Sequence, residues 1–232
     1  MKKYVIGPTP AALDPSVFEL LDDVETATVG HFRHWGFMDP AIQALGIQAL
    51  GIQAPGTPAR VIGRAVTLAL PAQDSTLLHH ALGQLRPGDV VVIDRLGDRK
   101  HACWGGGVTQ QASKAGAAGA VVDGVCTDPS EIAAFRMPVW CRGISPITTR
   151  IYDLAGMLNM PVSCGGVVVN PGDVILADEN GVLVLPPGDV AEVAAMAKAK
   201  QARQRANAEK IAAGAALLGE LSGASGHVAR DS

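Results

Sequence analysis

From residue 60 onward, apolar positions come in short runs broken by Gly, Pro and Asp, and successive runs switch between the period of a strand and that of a helix. RVIGRAVTLAL (60–70) reads as a strand, and DSTLLHHALGQL (74–85) as a helix with Asp74 or Ser75 at its N-cap. VVVID (90–94) is a short buried strand, GVTQQASKAG (107–116) a helix ended by glycine, and AAGAVVDG (117–124) a second buried strand. A helix between two apolar strands predicts a βαβ crossover, hence parallel pairing. Further strands are expected at MPVWCRG (137–143), VSCGGVVVN (162–170), VILAD (174–178) and GVLVLP (181–186), the last two joined by a tight hairpin through Glu179 and Asn180. Pro-Gly-Asp precedes a buried strand twice, at 87–89 and 171–173. Proline sets φ at the first corner and glycine takes the positive φ of a type II turn, so recurrent turn chemistry accounts for both.

The flanks are less regular. PSVFELLDDVETAT (15–28) carries helical spacing, and a long Ala/Lys/Arg/Gln helix is expected after Asp189, to about residue 217. IQALGIQALGIQAPG (42–56) is three copies of a five-residue unit, too short for a solenoid and ended by Pro55 and Gly56; it reads as a duplicated surface connection. The polar tail from Ser222 is expected to fray. We therefore expect one α/β domain over residues 1–222 and a disordered tail over 223–232. Composition agrees: 48% of residues are hydrophobic and only 4% aromatic, with abundant Gly and Ala, which suits helices packed closely on a parallel or mixed sheet.

Charge and hydropathy exclude some function classes. The net charge of −3 is spread along the chain without a basic patch, so a nucleic-acid partner is not expected. No apolar run reaches the roughly 18 residues of a membrane span, and MKKYVIGPTP lacks the apolar core of a signal peptide. Cys103, Cys126, Cys141 and Cys164 are far apart and form no C-x-x-C pair, as expected of buried reduced thiols in a cytoplasmic protein.

Asp128 is the leading candidate for chemistry. It follows the strand that ends in DGVCTD (123–128), and open α/β sheets bind ligands at the carboxyl edge of their parallel strands. Across that edge, RLGDRKHACWGGG (95–107) offers Asp98, Arg99, Lys100, His101 and three consecutive glycines opening a helix. Backbone amides there can receive an anion, with a divalent cation held by Asp128 beside it. His79 and His80 point about 100° apart on a helix and do not share a metal easily. His31 and His34 lack a third ligand, and Cys126 has no neighbouring base.

WGGGVTQQASKAGAAGAVVDGVCTDPSEIAAFRMPVWCRGISP, followed by GGVVVNPGDVILADENGVLVLP, resembles the RraA-like family over roughly residues 60 to 200. That family includes 4-hydroxy-4-methyl-2-oxoglutarate / 4-carboxy-4-hydroxy-2-oxoadipate aldolases and the regulator of ribonuclease E activity. The resemblance implies an α/β/α sandwich of swivelling β/β/α topology, assembled as a homotrimer or hexamer with sites at subunit boundaries. It also implies cleavage or decarboxylation of a small 2-oxo acid through a pyruvate enolate, with Mg²⁺ or Mn²⁺ as Lewis acid.

The family signature is an acidic residue, twenty positions, then Arg-Asp. Here Asp128 matches the metal-associated aspartate, Thr127 stands in place of the arginine and Gly106 in place of the acid. Threonine forfeits a charge-assisted bond of roughly 1.5–3 kcal/mol. Gly107 and Val108 occupy the positions whose amides hold the substrate carboxylate, and Glu209 is the candidate for a glutamate contributed by a neighbouring C-terminal helix. Arg99, Lys100 and Arg142 are candidates to replace the missing arginine. The expected function is thus a divergent metal-dependent lyase. The alternatives are another enolate-stabilising decarboxylase, tautomerase or hydratase, or a non-catalytic protein-binding regulator.

Overall fold

The computed structural model describes residues 2–45 and 60–228. β1 (Tyr4–Ile6), α1 (Ser16–Leu21), α2 (Thr26–Gly30) and β2 (Gln43–Ala44) precede the alternating part of the chain. That part comprises β3 (Val61–Ala69), α3 (Thr76–Ala81), β4 (Asp89–Asp94), α4 (Gly106–Lys114), β5 (Gly119–Cys126), α5 (Pro129–Ala134) and β6 (Val139–Ile144). β7 (Gly156–Leu158), β8 (Val162–Cys164), β9 (Val167–Val169), β10 (Val174–Asp178) and β11 (Gly181–Leu185) follow. The chain then forms α6 (Val190–Ala212), α7 (Leu218–Leu221) and α8 (Ala224–His227).

The main sheet runs β1-β7-β3-β4-β5-β6-β2. β3 to β6 are parallel neighbours, and α4 makes the expected crossover between β4 and β5. β10 pairs antiparallel with the first half of β3 and carries β11 as its hairpin partner. β4 and β5 are apolar on both faces because both faces are covered. On one side Leu78 of α3, Ala112 of α4 and Ile132 of α5 pack with Val91, Ile93, Val122 and Trp104. On the other, Val90, Val92, Val121 and Trp140 meet the hairpin strands through Val162, Ile175 and Val184. A third cluster seats α1, α2 and α6 on the outer side of β10 and β11, through Leu21, Val29, Val193, Leu176 and Leu183. The expected α/β class and helix-flanked sheet are therefore observed.

Both Pro-Gly-Asp segments are type II turns closed by the same bonds. Gly88 and Gly172 take φ of +83° and +92°, and the Asp89 and Asp173 N–H groups donate to the Arg86 and Asn170 carbonyls. Each aspartate also accepts the N–H of residue 86 or 170 on its side chain. The glycine stop expected for α4 is observed. Gly116 ends α4 at φ +80° with the Ala117 N–H donated to the Ala112 carbonyl.

Four expectations need correction. The helix at 15–28 is two helices, because Asp178 at the end of β10 takes both the N–H and the hydroxyl of Thr26 (2.8 and 2.5 Å) and starts α2 there. The strand at 162–170 is a hairpin, since Gly165 and Gly166 both have positive φ (+57° and +77°), as a two-residue type I′ turn requires. The long C-terminal helix ends at Ala212, where Gly214 at φ +66° stops it, with the Ala215 N–H bonded to the Lys210 carbonyl. Residues 224–227 of the polar tail form a helical turn rather than loose chain. Most of the five-residue repeat, residues 46–56, lies outside the described residues; Gln43 and Ala44 within its first copy form β2 against β6.

Candidate active site

The site is assembled by the segment that leaves β4 and returns as α4. This segment crosses the carboxyl edge of the sheet, bridging Ala102 to Thr148 and Trp104 to Cys126. Trp104 is fully buried, and its indole N–H donates to Thr109 Oγ1 at 2.9 Å, which in turn donates to the Gly105 carbonyl at 2.8 Å. The Trp104 carbonyl accepts the Thr127 N–H at 2.9 Å. One tryptophan therefore fixes the start of α4 against the end of β5, which is why the two loops meet.

Asp128 adopts the left-handed conformation (φ +53°, ψ +50°), which aspartate tolerates better than most residues. Its Oδ2 accepts the Gly106 N–H at 3.3 Å, and its Oδ1 accepts the Thr127 hydroxyl at 3.1 Å. Gly105 has extended φ, so its requirement is space: a Cβ there would stand 2.6 Å from Thr127 Cγ2 and 2.7 Å from Asp128 Oδ2. The N–H groups of Gly107 and Val108, in the first turn of α4, meet no acceptor among the described residues. In front of Gly107 the space is open, and Gly107 and Val108 line a groove of about 360 Å³ with His79, Leu82, Gly83 and Gln111. The structure thus brings together Thr127, Asp128, Gly106, Gly107 and Val108.

The four remaining candidates lie elsewhere. Arg142 donates to Asp123 (2.5 Å) and Asp39 (2.8 Å), and Arg99 pairs with Asp123 at 3.2 Å. By strand alternation Asp123 and Arg142 project from the face opposite α4, so the sheet separates them from the Asp128 side. Burial pushes the Asp123 carboxyl above its ordinary value. Lys100 is exposed in the loop. Glu209 is exposed on the half of α6 beyond Gln201, where no residue is buried. Asp98 organises its own loop: it accepts the Lys100 and His101 N–H groups and the His101 ring at 2.7–2.8 Å. Burial opposes these bonds, but they hold its carboxyl below the usual range.

Two residues near this edge escape sequence reasoning. Arg95, next after β4, is fully buried; Nη2 donates to the Ala72 and His101 carbonyls, while Nε and Nη1 have no partner among the described residues. Glu131 on α5 lies against Gly106, where any added Cβ would overlap its carboxylate. Neither is visible locally, because each depends on a neighbour from another element. The four cysteines are free and buried; burial pushes the Cys103 thiol up to about 11, whereas a hydrogen bond with Cys126 draws the Cys141 thiol below its ordinary value.

A divalent cation fits these residues by their chemistry. Gly105 and Gly106 let the start of α4 close against Asp128 and Glu131, where a Cβ would clash with them. Among the described residues no group of three or more His, Cys, Asp or Glu side chains gathers as a metal cage. One or two carboxylates with water and substrate oxygens is the manner in which Mg²⁺ is commonly held.

Comparison with known proteins agrees with this architecture. The RraA-like family model, described as Aldolase/RraA, matches residues 32–184. A Halalkalibacterium halodurans protein named "Putative 4-hydroxy-4-methyl-2-oxoglutarate aldolase" is 37% identical over 166 residues, covering 70% of this chain and 79% of that one. A Burkholderia mallei protein of the same name is 38% identical over 129 residues, covering 56% and 77%. Among solved structures, the Thermus thermophilis RNA-processing inhibitor RraA superposes with a TM-score of 0.60 at 27% identity, covering 71% of this chain and 93% of that one. A Streptomyces coelicolor member of the RNase ES inhibitor RraA family reaches 0.71 at 26% identity, covering 85% and 99%. With the family model spanning more than half its length, this chain belongs to the RraA-like, Aldolase/RraA family.

Proposed function

We propose that the protein is a divalent-metal-dependent lyase that cleaves or decarboxylates a small 2-oxo acid. The observation that carries this reading is the placement of the Asp128 carboxylate beside the free amides of Gly107 and Val108 at the carboxyl edge of the sheet. Asp128 holds the cation, and the two amides receive the substrate carboxylate at the positive end of α4. When bound, Mg²⁺ or Mn²⁺ supplies Lewis-acid polarisation to the oxo group. Thr127 keeps the Asp128 carboxylate oriented through its hydroxyl but brings no charge to the substrate. The groove between α3 and α4 at Gly107 offers space for the rest of the oxo acid. We further propose a homotrimer or hexamer, with Glu209 on the free half of α6 available to a neighbouring subunit.

A second reading, a non-catalytic protein-binding regulator, is favoured by one observation. Thr127 replaces the arginine of the signature, while Arg99 and Arg142 are already paired with carboxylates. The test is pyruvate release from 4-hydroxy-4-methyl-2-oxoglutarate and from oxaloacetate with added Mg²⁺ or Mn²⁺. The lyase reading expects wild-type activity, a loss of at least about a hundredfold in kcat/KM for Asp128→Ala, and a gain for Thr127→Arg. Inactivity of both wild type and Thr127→Arg would sink it and leave the regulator.

A further inference from the structure

Arg95 carries a positive charge into the interior, and no carboxylate among the described residues pairs with it. Nε and Nη1 have no partner there, and Nη2 reaches only the Ala72 and His101 carbonyls. The two aspartates that flank it in sequence are engaged elsewhere. Asp94 accepts the Leu96 N–H, and Asp98 accepts the Lys100 and His101 N–H groups and the His101 ring. A guanidinium does not relieve its burial by giving up a proton, so the charge stays and costs stability. A local rule broken at the edge of a site points to function.

Register sets the position of this charge. β4 and β5 pair Asp94 with Asp123, so Arg95 follows beside Gly124. A Cβ on Gly124 would stand 2.6 Å from Arg95 Cγ, so glycine lets the arginine stem lie against β5. Strand alternation puts Arg95 on the α4 face with Val91 and Ile93, and Gly124 there with Val122 and Cys126. Arg99 and Arg142 instead pair with Asp123, which projects from the other face. The charge is felt where the site is held. It pulls down the Cys103 thiol, which burial raises, and the Cys126 thiol, which its hydrogen bond to Cys141 and burial raise. Cys126 is bridged to Trp104, whose carbonyl accepts the Thr127 N–H.

We infer that Arg95 is a positioning residue for the substrate anion, supplying from beneath the site the positive charge that Thr127 leaves out. It touches no substrate atom and acts through the low dielectric of the interior, where a charge is weakly screened. The inference rests on the oxo-acid reading above for the identity of the anion.

Calorimetric titration of pyruvate into the full chain with Mg²⁺ present, beside steady-state kinetics on oxaloacetate, tests it. Arg95→Met and Arg95→Gln are each expected to weaken pyruvate binding by about tenfold and to lower kcat/KM equally, through KM, with kcat within about threefold of wild type. Thr127→Arg added to Arg95→Met should restore affinity to within about threefold of wild type, which a packing role for Arg95 would not allow. Thermal melts of every variant separate loss of binding from loss of fold. Wild-type pyruvate affinity in Arg95→Met and Arg95→Gln would overturn the inference and leave the lyase reading intact. A loss that Thr127→Arg does not restore would overturn it as well, leaving Arg95 a structural residue. Pyruvate binding that depends on Arg95 in a chain without turnover would uphold the inference and sink the lyase reading. A wild type that neither binds pyruvate nor turns over oxaloacetate would overturn both.

Discussion

Asp74 gathers four hydrogen bonds on one buried carboxylate. The Thr76 N–H and hydroxyl donate at 3.0 and 2.6 Å, and the Tyr152 and Leu154 N–H groups at 3.0 and 2.8 Å. Burial by itself would raise its pKa, but these bonds outweigh it and hold the group at about 2, below the 3.8 of a free aspartate. Because the folded value is depressed, the stabilisation is complete above pH ~4 and disappears as pH falls through the folded value. It is worth about 2 kcal/mol at neutral pH. Asp74→Asn should accordingly melt below wild type at pH 7, and the gap should shrink in melts run from pH 4 down to pH 2. A gap that stays constant over that range would contradict the account. Arg95 is the reverse case, a buried cation with two nitrogens unpartnered among the described residues. Arg95→Met removes the desolvation penalty and fills similar volume, so its stability should be unchanged or higher by up to about 3 kcal/mol. Marked destabilisation in denaturant titrations would mean that an anion or ordered water satisfies the guanidinium.

At the scale of elements, the β8–β9 turn separates two reasons for glycine. Gly166 (φ +77°) has nothing within 4 Å of an added Cβ, so Gly166→Ala should cost only the left-handed backbone penalty, about 1–2 kcal/mol. At Gly165 an added Cβ would also meet Met38 Cβ at 2.7 Å, Ile42 Cδ1 at 2.9 Å and the Asp39 nitrogen at 3.1 Å, so Gly165→Ala should cost clearly more. Equal losses in chemical denaturation would refute that ordering. The same turn shows what a sequence makes legible. β3, β4, β5, β10 and β11 could be read directly, because strands buried on both faces leave long apolar runs between turn residues. VSCGGVVVN presents itself as one such run, although paired glycines between apolar stretches are themselves a hairpin signal. The break between α1 and α2 was beyond reach, since the cap on Thr26 comes from Asp178 across the chain. β1 and β7 were missed for a related reason: three residues each, they exist through pairing with one another and with β3. The candidate site divides the same way. Asp128 and the Gly107 and Val108 amides followed from strand-end and helix-start logic, whereas Glu131 and Arg95 are defined by packing between elements.

For the whole molecule, two surfaces have no partner among the described residues. From the end of β6 onward, Ile144, Ile147, Ile151, Tyr152 and Leu154 are 44–58% exposed along one continuous stretch, the stretch that also bridges the site loop through Thr148. α6 packs on the body only as far as Gln201, and beyond it Ile211, Leu217 and Leu218 face solvent. A run of large apolar side chains of this kind marks an association surface rather than ordinary surface scatter. Its position beside the carboxyl edge means that a neighbouring copy seated there would border the Asp128 site, consistent with the proposed homotrimer or hexamer. Light scattering on the full chain tests this: wild type should have the mass of a trimer or hexamer, and the double variant Ile147→Glu with Ile151→Glu should fall towards monomer while keeping its far-ultraviolet circular dichroism. If assembly also shields the site, pyruvate release by the dissociated variant should drop with it even though Asp128, Gly107 and Val108 are untouched. An unchanged mass in the variant would remove this surface from the assembly. A monomeric wild type would remove the assembly itself, and the site would then have to work with the residues of one chain alone.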